Sequence, residues 1–144
     1  MTPAVTYHRL SAANAHLLEG SAAFDNPIRP AECARFVADP GHELVFALSD
    51  GGVAGFASGV ILLHPDKAPG FFVNEVGVSE QFRRLGIAKE LCRQLFAIAR
   101  ERGCKGIWLG TEDDNTAARA LYRSLEGRET AGVVVYDWDG AMDP

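Results

Sequence analysis

The chain has 144 residues, 47% hydrophobic and 23% charged; that size and balance suit one globular domain and exclude a disordered or fibrous polymer. The net charge is -5 and no long basic patch occurs, which argues against nucleic acid and favours a neutral or cationic partner. No apolar run approaches the roughly 18 residues of a membrane span, and Met1-Thr2-Pro3-Ala4 lacks a basic stretch feeding an apolar one, so a soluble, cytoplasmic protein with no membrane partner is expected.

Val5 to Leu10 alternates as a first strand, and Ser11 caps a helix predicted to run to about Phe24, where Asp25-Asn26-Pro27 breaks it. Pro30 opens a second short helix, Ala31 to Ala38, which Asp39-Pro40-Gly41 ends. His42 to Leu48 and Val53 to Leu63 read as strands joined by Ser49-Asp50-Gly51-Gly52, a hairpin signal because positive φ is easiest at Gly, Asp or Asn. After the turn Asp66 to Gly70, Phe71 to Val78 adds a third strand, so these three form an antiparallel meander. Gly55 and Gly59 lie within strand pattern and read as turn or close packing.

The next helix, Ile87 to Arg102, puts Ile87, Leu91, Leu95 and Ile98 on one stripe beside Ala88, Cys92 and Ala99, and Gly103 ends it as a left-handed cap. Lys105 to Gly110 is a predicted strand, Asn115 caps a helix ending near Leu125, and Val133 to Trp138 reads as a closing strand. Cys33, Cys92 and Cys104 include no Cys-x-x-Cys pair, and His8, His16, His42 and His64 show no ligand spacing. No disulfide framework and no metal are therefore expected.

Chemistry concentrates where a strand hands over to a helix. In Arg83-Arg84-Leu85-Gly86-Ile87-Ala88, free backbone N-H groups and converging peptide dipoles make an anion site, Gly86 admits a ligand close to the backbone, and Ala88 keeps the helix start slim. The spacing is neither Walker A nor the Gly-x-Gly-x-x-Gly fingerprint, so a pyrophosphate cofactor of another kind fits it better. A loop whose glycine only relieves a tight turn is the alternative for these six residues alone.

Together with Asn115-Thr116-Ala117-Ala118-Arg119-Ala120-Leu121-Tyr122, this loop resembles the GNAT superfamily of N-acetyltransferases, whose hallmark is Arg/Gln-x-x-Gly-x-Gly/Ala after a strand and then an Asn-x-x-Ala-x-x-Leu-Tyr helix. The resemblance implies an α+β fold with a mixed central sheet of about six to seven strands, an antiparallel N-terminal meander and about four flanking helices. It implies acetyl-CoA as co-substrate, a small-molecule amine acceptor and frequent homodimers. By position, the backbone of Val76 and Val78 would pair with the pantetheine arm, the N-H groups of Arg83 to Ala88 would receive the pyrophosphate, and Tyr122 would protonate the departing thiolate. Within the superfamily, Thr111 to Glu129 and the Asp137-Trp138-Asp139 tail look most like aminoglycoside 3-N-acetyltransferases. Two departures stand out: glycine is displaced by one in Leu125-Glu126-Gly127-Arg128-Glu129, and Asn74 replaces an aromatic.

Each site residue also has a structural alternative. Glu75, inside an apolar strand, is the candidate base with a raised pKa, or else a side chain facing solvent. Asn115 either caps its helix or bonds the coenzyme, and Tyr122 either donates a proton or packs. Glu112, Asp113 and Asp114 either hold a cationic substrate or complement a helix dipole. An acetyltransferase of proteins, peptides or amino acids, and a non-catalytic acyl-CoA-binding module, are the competing functions.

Overall fold

Asp50 and Gly51 carry φ of 52° and 79°, the double positive φ of a tight hairpin turn, and they join β2 (His42–Ser49) to β3 (Gly52–Leu62). The computed structural model describes residues 4–140, so Met1-Thr2-Pro3 lies outside it. β1 (Thr6–Arg9) and α1 (Pro30–Ala38) precede the hairpin. β4 (Gly70–Val78), α2 (Ile87–Glu101), β5 (Gly106–Trp108) and α3 (Thr116–Ser124) follow it. One sheet runs β1-β2-β3-β4-β5; its first four strands pair antiparallel and β5 lies parallel to β4. The chain divides at Gly110 into two compact units, the sheet with α1 and α2 in the first and α3 in the second.

Two apolar clusters cover the two faces of the sheet. On one, the predicted stripe of α2 packs on Val45, Ala47, Phe71 and Val73, with Leu91, Cys92 and Leu95 fully buried. On the other, Leu18, Leu44, Phe46, Val53 and Phe56 meet Phe24, Ile28, Cys33 and Phe36. Burial pushes the Cys92 thiol up to about 11, which keeps it protonated and inert as plain core. Buried Glu43 ties α2 to the sheet: its carboxylate accepts from Arg9 Nε at 3.0 Å and Arg9 Nη2 at 2.9 Å. Arg102, just past α2, donates to the same carboxylate and to Pro40 O.

The register between β3 and β4 shifts once. Ser58 faces Glu75 while Gly59 faces Val73, so Asn74 is a bulge. An extra residue inverts side-chain parity. Phe71 and Val73 therefore point at α2, and so do Val76 and Val78, while Glu75 is thrown onto the face shared by Gly77 and Phe56. Gly59 is the bare position that permits this: a Cβ there would lie 2.3 Å from Phe71 Cε1 and 2.6 Å from Phe72 O. The strand glycines are thus close packing, as read from sequence.

Among the described residues there are five strands and three α-helices, fewer than the six to seven and about four expected. The predicted helix from Ser11 to Phe24 reduces to one 3-10 turn, Ala15–Leu18. Asn14 diverts its backbone by accepting from Ser11 N at 2.8 Å and donating to Arg9 O at 3.0 Å, and Gly20 turns left-handed at φ 74°. Residues 133–138 form no strand, and the apolar side chains there are between 71% and 83% exposed. An apolar, β-branched run without a partner ladder leaves its backbone groups to water. The Lys105 to Gly110 strand contracts to Gly106–Trp108, and three parallel pairs with β4 are all it makes.

Gly59→Ala should destabilise the fold by about 1–3 kcal/mol through overpacking. Gly106→Ala, whose Cβ would meet nothing within 4 Å, is the matched control and should be near neutral; urea denaturation of both measures the difference.

Candidate functional site

β5 covers only the first part of β4, Gly70 to Phe72. Beyond Phe72 the ladder within this unit stops. Ser79 N donates to Ala54 O at 2.8 Å, and the two-residue alternation of an antiparallel pair then turns Gly77 and Glu75 toward β3 and Val76 and Val78 toward the opposite edge. Val78 O accepts from Arg83 Nε at 3.3 Å. Arg83 thereby ties the loop back to the strand.

That loop makes one 3-10 turn, Glu80–Phe82, and then places Arg84 at φ 65° and Gly86 at φ 78° before α2 begins. Alternating left-handed residues point successive N-H groups into one concavity. The first bond of α2 runs from Glu90 N to Gly86 O at 3.1 Å, so the N-H groups of Ile87, Ala88 and Lys89 precede the ladder at the positive end of the helix dipole. No side chain caps this helix. Arg84, Leu85 and Gly86 are exposed, and a Cβ on Gly86 would meet nothing within 4 Å. The arrangement can receive a diphosphate through backbone groups, with Arg84 adding charge.

Glu75 has no cation within ion-pair distance among the described residues. Partial burial, and then the Asp25 carboxylate, raise its pKa above the ordinary carboxylate value. Asp25 is placed by its neighbours: Phe24 stacks on Phe56 at 3.9 Å, and Ala23 O sits where a Cβ on Gly77 would come within 2.6 Å. Sequence reasoning missed Asp25 because fifty positions separate it from Glu75 and only the sheet face unites them.

The second unit holds Tyr122, Asn115 and the acidic run. Asn115 Oδ1 accepts from Ala118 N at 3.0 Å, a helix cap. The backbone carbonyls of Glu112, Asp113 and Asp114 shape the turn before α3, accepting from Asn115 N, from the Arg119 guanidinium and from Thr116 N; all three residues are exposed. Tyr122 is partly buried on α3. Its helix ends with Gly127 N donating to Tyr122 O and Glu126 N to Arg123 O, a Schellman closure around Glu126 at φ 65°. Glu126 thus holds the left-handed position that the glycine displaced by one leaves vacant. Arg119 and Arg123 both bond Glu129, and these hydrogen bonds pull its carboxyl down to about 2.

The family model described as Acetyltransferase (GNAT) family matches residues 10–126, across both units. The chain belongs to the acetyltransferase (GNAT) family. It is 35% identical over 101 residues to N-alpha-acetyltransferase RimI of Mycobacterium tuberculosis, covering 70% of this chain and 61% of that protein. It is 29% identical over 94 residues to aminoglycoside N(6')-acetyltransferase type 1 of Salmonella typhimurium, covering 62% of this chain and 65% of that protein. The match thus spans somewhat under two thirds of the length of both relatives. The fold is similar to the structure of the aminoglycoside N-acetyltransferase AAC(6')-Iy in complex with CoA, with TM-score 0.79 and 20% identity over 96% of this chain and 97% of that one. These relatives are 6'-N enzymes and RimI, so the match does not single out 3-N-acetyltransferases. Among the described residues no helix is long and apolar enough to cross a membrane, and no three His, Cys, Asp or Glu side chains group as metal ligands.

Glu126→Gly should stabilise the protein by about 0.5 kcal/mol, the relief of left-handed strain less the entropy glycine adds to the unfolded chain. A rise in Tm with α3 retained by circular dichroism is the expected result.

Proposed function

We propose that this GNAT family member is an acetyl-CoA-dependent N-acetyltransferase acting on a primary amine of a small cationic acceptor, with aminoglycosides the leading class. The observation that carries it is the edge of β4 that β5 leaves unpaired beyond Phe72, leading through one turn into the left-handed residues Arg84 and Gly86 at the start of α2. Acetyl-CoA, when bound, supplies an activated acetyl thioester. The N-H groups of the Arg83, Arg84, Leu85, Gly86, Ile87 and Ala88 segment hold its diphosphate, and the outward backbone of Val76 and Val78 orients its arm. Glu75 takes the proton from the acceptor ammonium, directly or through water, so that the nitrogen lone pair is free to attack. Tyr122 donates the proton that the departing thiolate needs. Asn115 holds the start of α3 and so positions Tyr122. Transfer is direct, since Cys92, the fully buried thiol, is inert and no activated nucleophile accompanies it.

Glu112, Asp113 and Asp114, with Asp25 beside Glu75, support a cationic acceptor. The 6'-N relatives support an aminoglycoside, and the Thr111 to Glu129 resemblance makes a 3-N product the other regiochemistry to assay. RimI supports a second reading, acetylation of a protein or peptide N-terminus. Both units are proposed to act as one acetyltransferase domain in the cytoplasm, as a monomer or homodimer. A thiol-release screen of aminoglycosides, polyamines, amino acids and peptides at matched concentration tests the function. Release with none of them would support an acyl-CoA-binding module instead.

Tyr122→Phe and Gly86→Val should separate chemistry from binding. The first should cut turnover by about tenfold to a thousandfold with coenzyme affinity unchanged; the second should weaken acetyl-CoA binding about tenfold or more, because a β-branched residue resists positive φ. Calorimetry and initial rates read the two effects.

The raised pKa of Glu75 places the acid limb of the turnover profile above the ordinary carboxylate range, and Asp25→Asn should move that limb to lower pH. A folded-state pKa above the unfolded one means that stability falls as pH rises from the unfolded to the folded value. Glu75→Gln should therefore cut turnover while raising Tm at pH 7, and the gain in Tm should vanish near pH 4.

A further inference from the structure

Phe72 and Trp108 are partners across the parallel ladder between β4 and β5, and their rings meet at 4.4 Å, tilted by 40°. Their chain neighbours Phe71, Ile107 and Leu109 belong to the cluster beneath α2, so alternation turns Phe72 and Trp108 onto the opposite face of the sheet. The Asn74 bulge brings Glu75 to that same face. Phe24, Ile28 and Phe36 cover the β2 and β3 part of it, over Leu44, Phe46 and Phe56. That cover does not take in Trp108, which is 57% exposed.

Distance and charge relate the indole to Glu75. Phe72 lies opposite Val60 and Glu75 opposite Ser58, two positions away along β3. At about 3.3 Å per residue and about 4.8 Å between strands, the Glu75 position is roughly 7 Å from Phe72 and about 8 Å from Trp108. Glu75 and Asp25 enter no ion pair among the described residues, so their carboxylates remain to attract a cation to the ring's neighbourhood. An indole takes an ammonium on its electron-rich face and a hydrocarbon stem on its apolar body. Phe72 packs against the ring and limits its rotation, which lowers the ordering cost of binding.

We propose that Trp108 determines specificity for the acceptor, its ring taking a second ammonium of a diamine or polyamine whose reacting nitrogen stands at Glu75. The inference rests on the reading of Glu75 as the acceptor position, and it narrows the acceptor to amines carrying two ammonium groups about 7–9 Å apart. A monoamine fills only half of the arrangement. Trp108 takes no part in proton transfer; it holds the far end of the acceptor, and binding there orients the near end at Glu75.

The test takes Trp138→Phe as background, which leaves Trp108 as the one tryptophan, and follows its Nε1-H resonance while 1,5-diaminopentane or pentylamine is added without acetyl-CoA. The diamine should give a saturable shift, with an affinity about threefold to thirtyfold above that of the monoamine. Trp108→Leu should abolish that preference and Trp108→Phe should keep most of it, both read from the backbone amide resonances of Val73 to Gly77. In initial rates, Trp108→Leu should raise the KM of the diamine by a similar factor without changing the affinity for acetyl-CoA. The proposal is overturned if the indole resonance does not move, if the parent binds both amines equally, or if Trp108→Leu keeps the preference. Those results leave the acetyltransferase reading standing, because no coenzyme and no turnover enter the titration. A saturable indole shift without thiol release from either amine would count against that reading and not against the diamine contact.

Discussion

The bulge at Asn74 is the constraint on which the first unit depends. Without it, regular alternation would carry Glu75 onto the face of Phe71 and Val73, beneath α2, where an unpaired carboxylate is strongly disfavoured. With it, Val76 and Val78 fill that face and Glu75 turns toward Phe56 and Asp25. The ladder with β3 continues past the bulge to Val78, whereas β5 follows β4 only as far as Phe72. Gly59 lets the strands approach at this point, where Phe71 occupies the space a side chain would need. One local irregularity thus turns a single carboxylate away from the helix-covered face, while the edge of β4 beyond Phe72 carries outward backbone groups.

The strand edge is useful only if the helix start beside it is held. Glu43 does this from the far end of α2. Taking a carboxylate to 7% exposure is costly, and Arg9 and Arg102 offset that cost with several charge-assisted hydrogen bonds. The clamp joins β1, β2 and the residue just past α2, so the helix cannot slide along the sheet. Gly86 then begins α2 directly after the loop, and the dipole end stays beside the outward groups of Val78.

The second unit is organised by its helix ends. Asn115 satisfies an N-H at the start of α3, and the closure around Glu126 satisfies carbonyls at the finish. Glu129, clamped by Arg119 and Arg123 with its carboxyl near 2, holds the returning chain against the helix. A depressed carboxyl stabilises above its unfolded pKa and loses that contribution as pH falls toward the folded value. This clamp therefore weakens only in acid, and its exposure and screening keep it small.

Local chemistry made much of this protein legible in sequence. The Asp50-Gly51 hairpin, the α2 stripe, the left-handed Gly103 and the Asn115 cap each depend on residues within a turn or two of one another, and each was identified from that spacing. The same locality made the two GNAT motifs readable, and with them the family. One failure was local: Asn14 unravels the predicted helix by bonding Ser11 and Arg9, three and five positions back. The others needed distant partners. Residues 133–138 read as a strand yet join no ladder among the described residues. The Asn74 bulge depends on how Phe71 packs over Gly59 in another strand, and Asp25 meets Glu75 only because Phe24 stacks on Phe56. By itself, the sequence determined turns, caps, the buried helix stripe and the glycine turn before α2, because these are short-range. Tertiary structure alone decided which face Glu75 occupies, where the sheet opens and which carboxylate stands beside it, because those follow from register and packing between residues far apart in the chain.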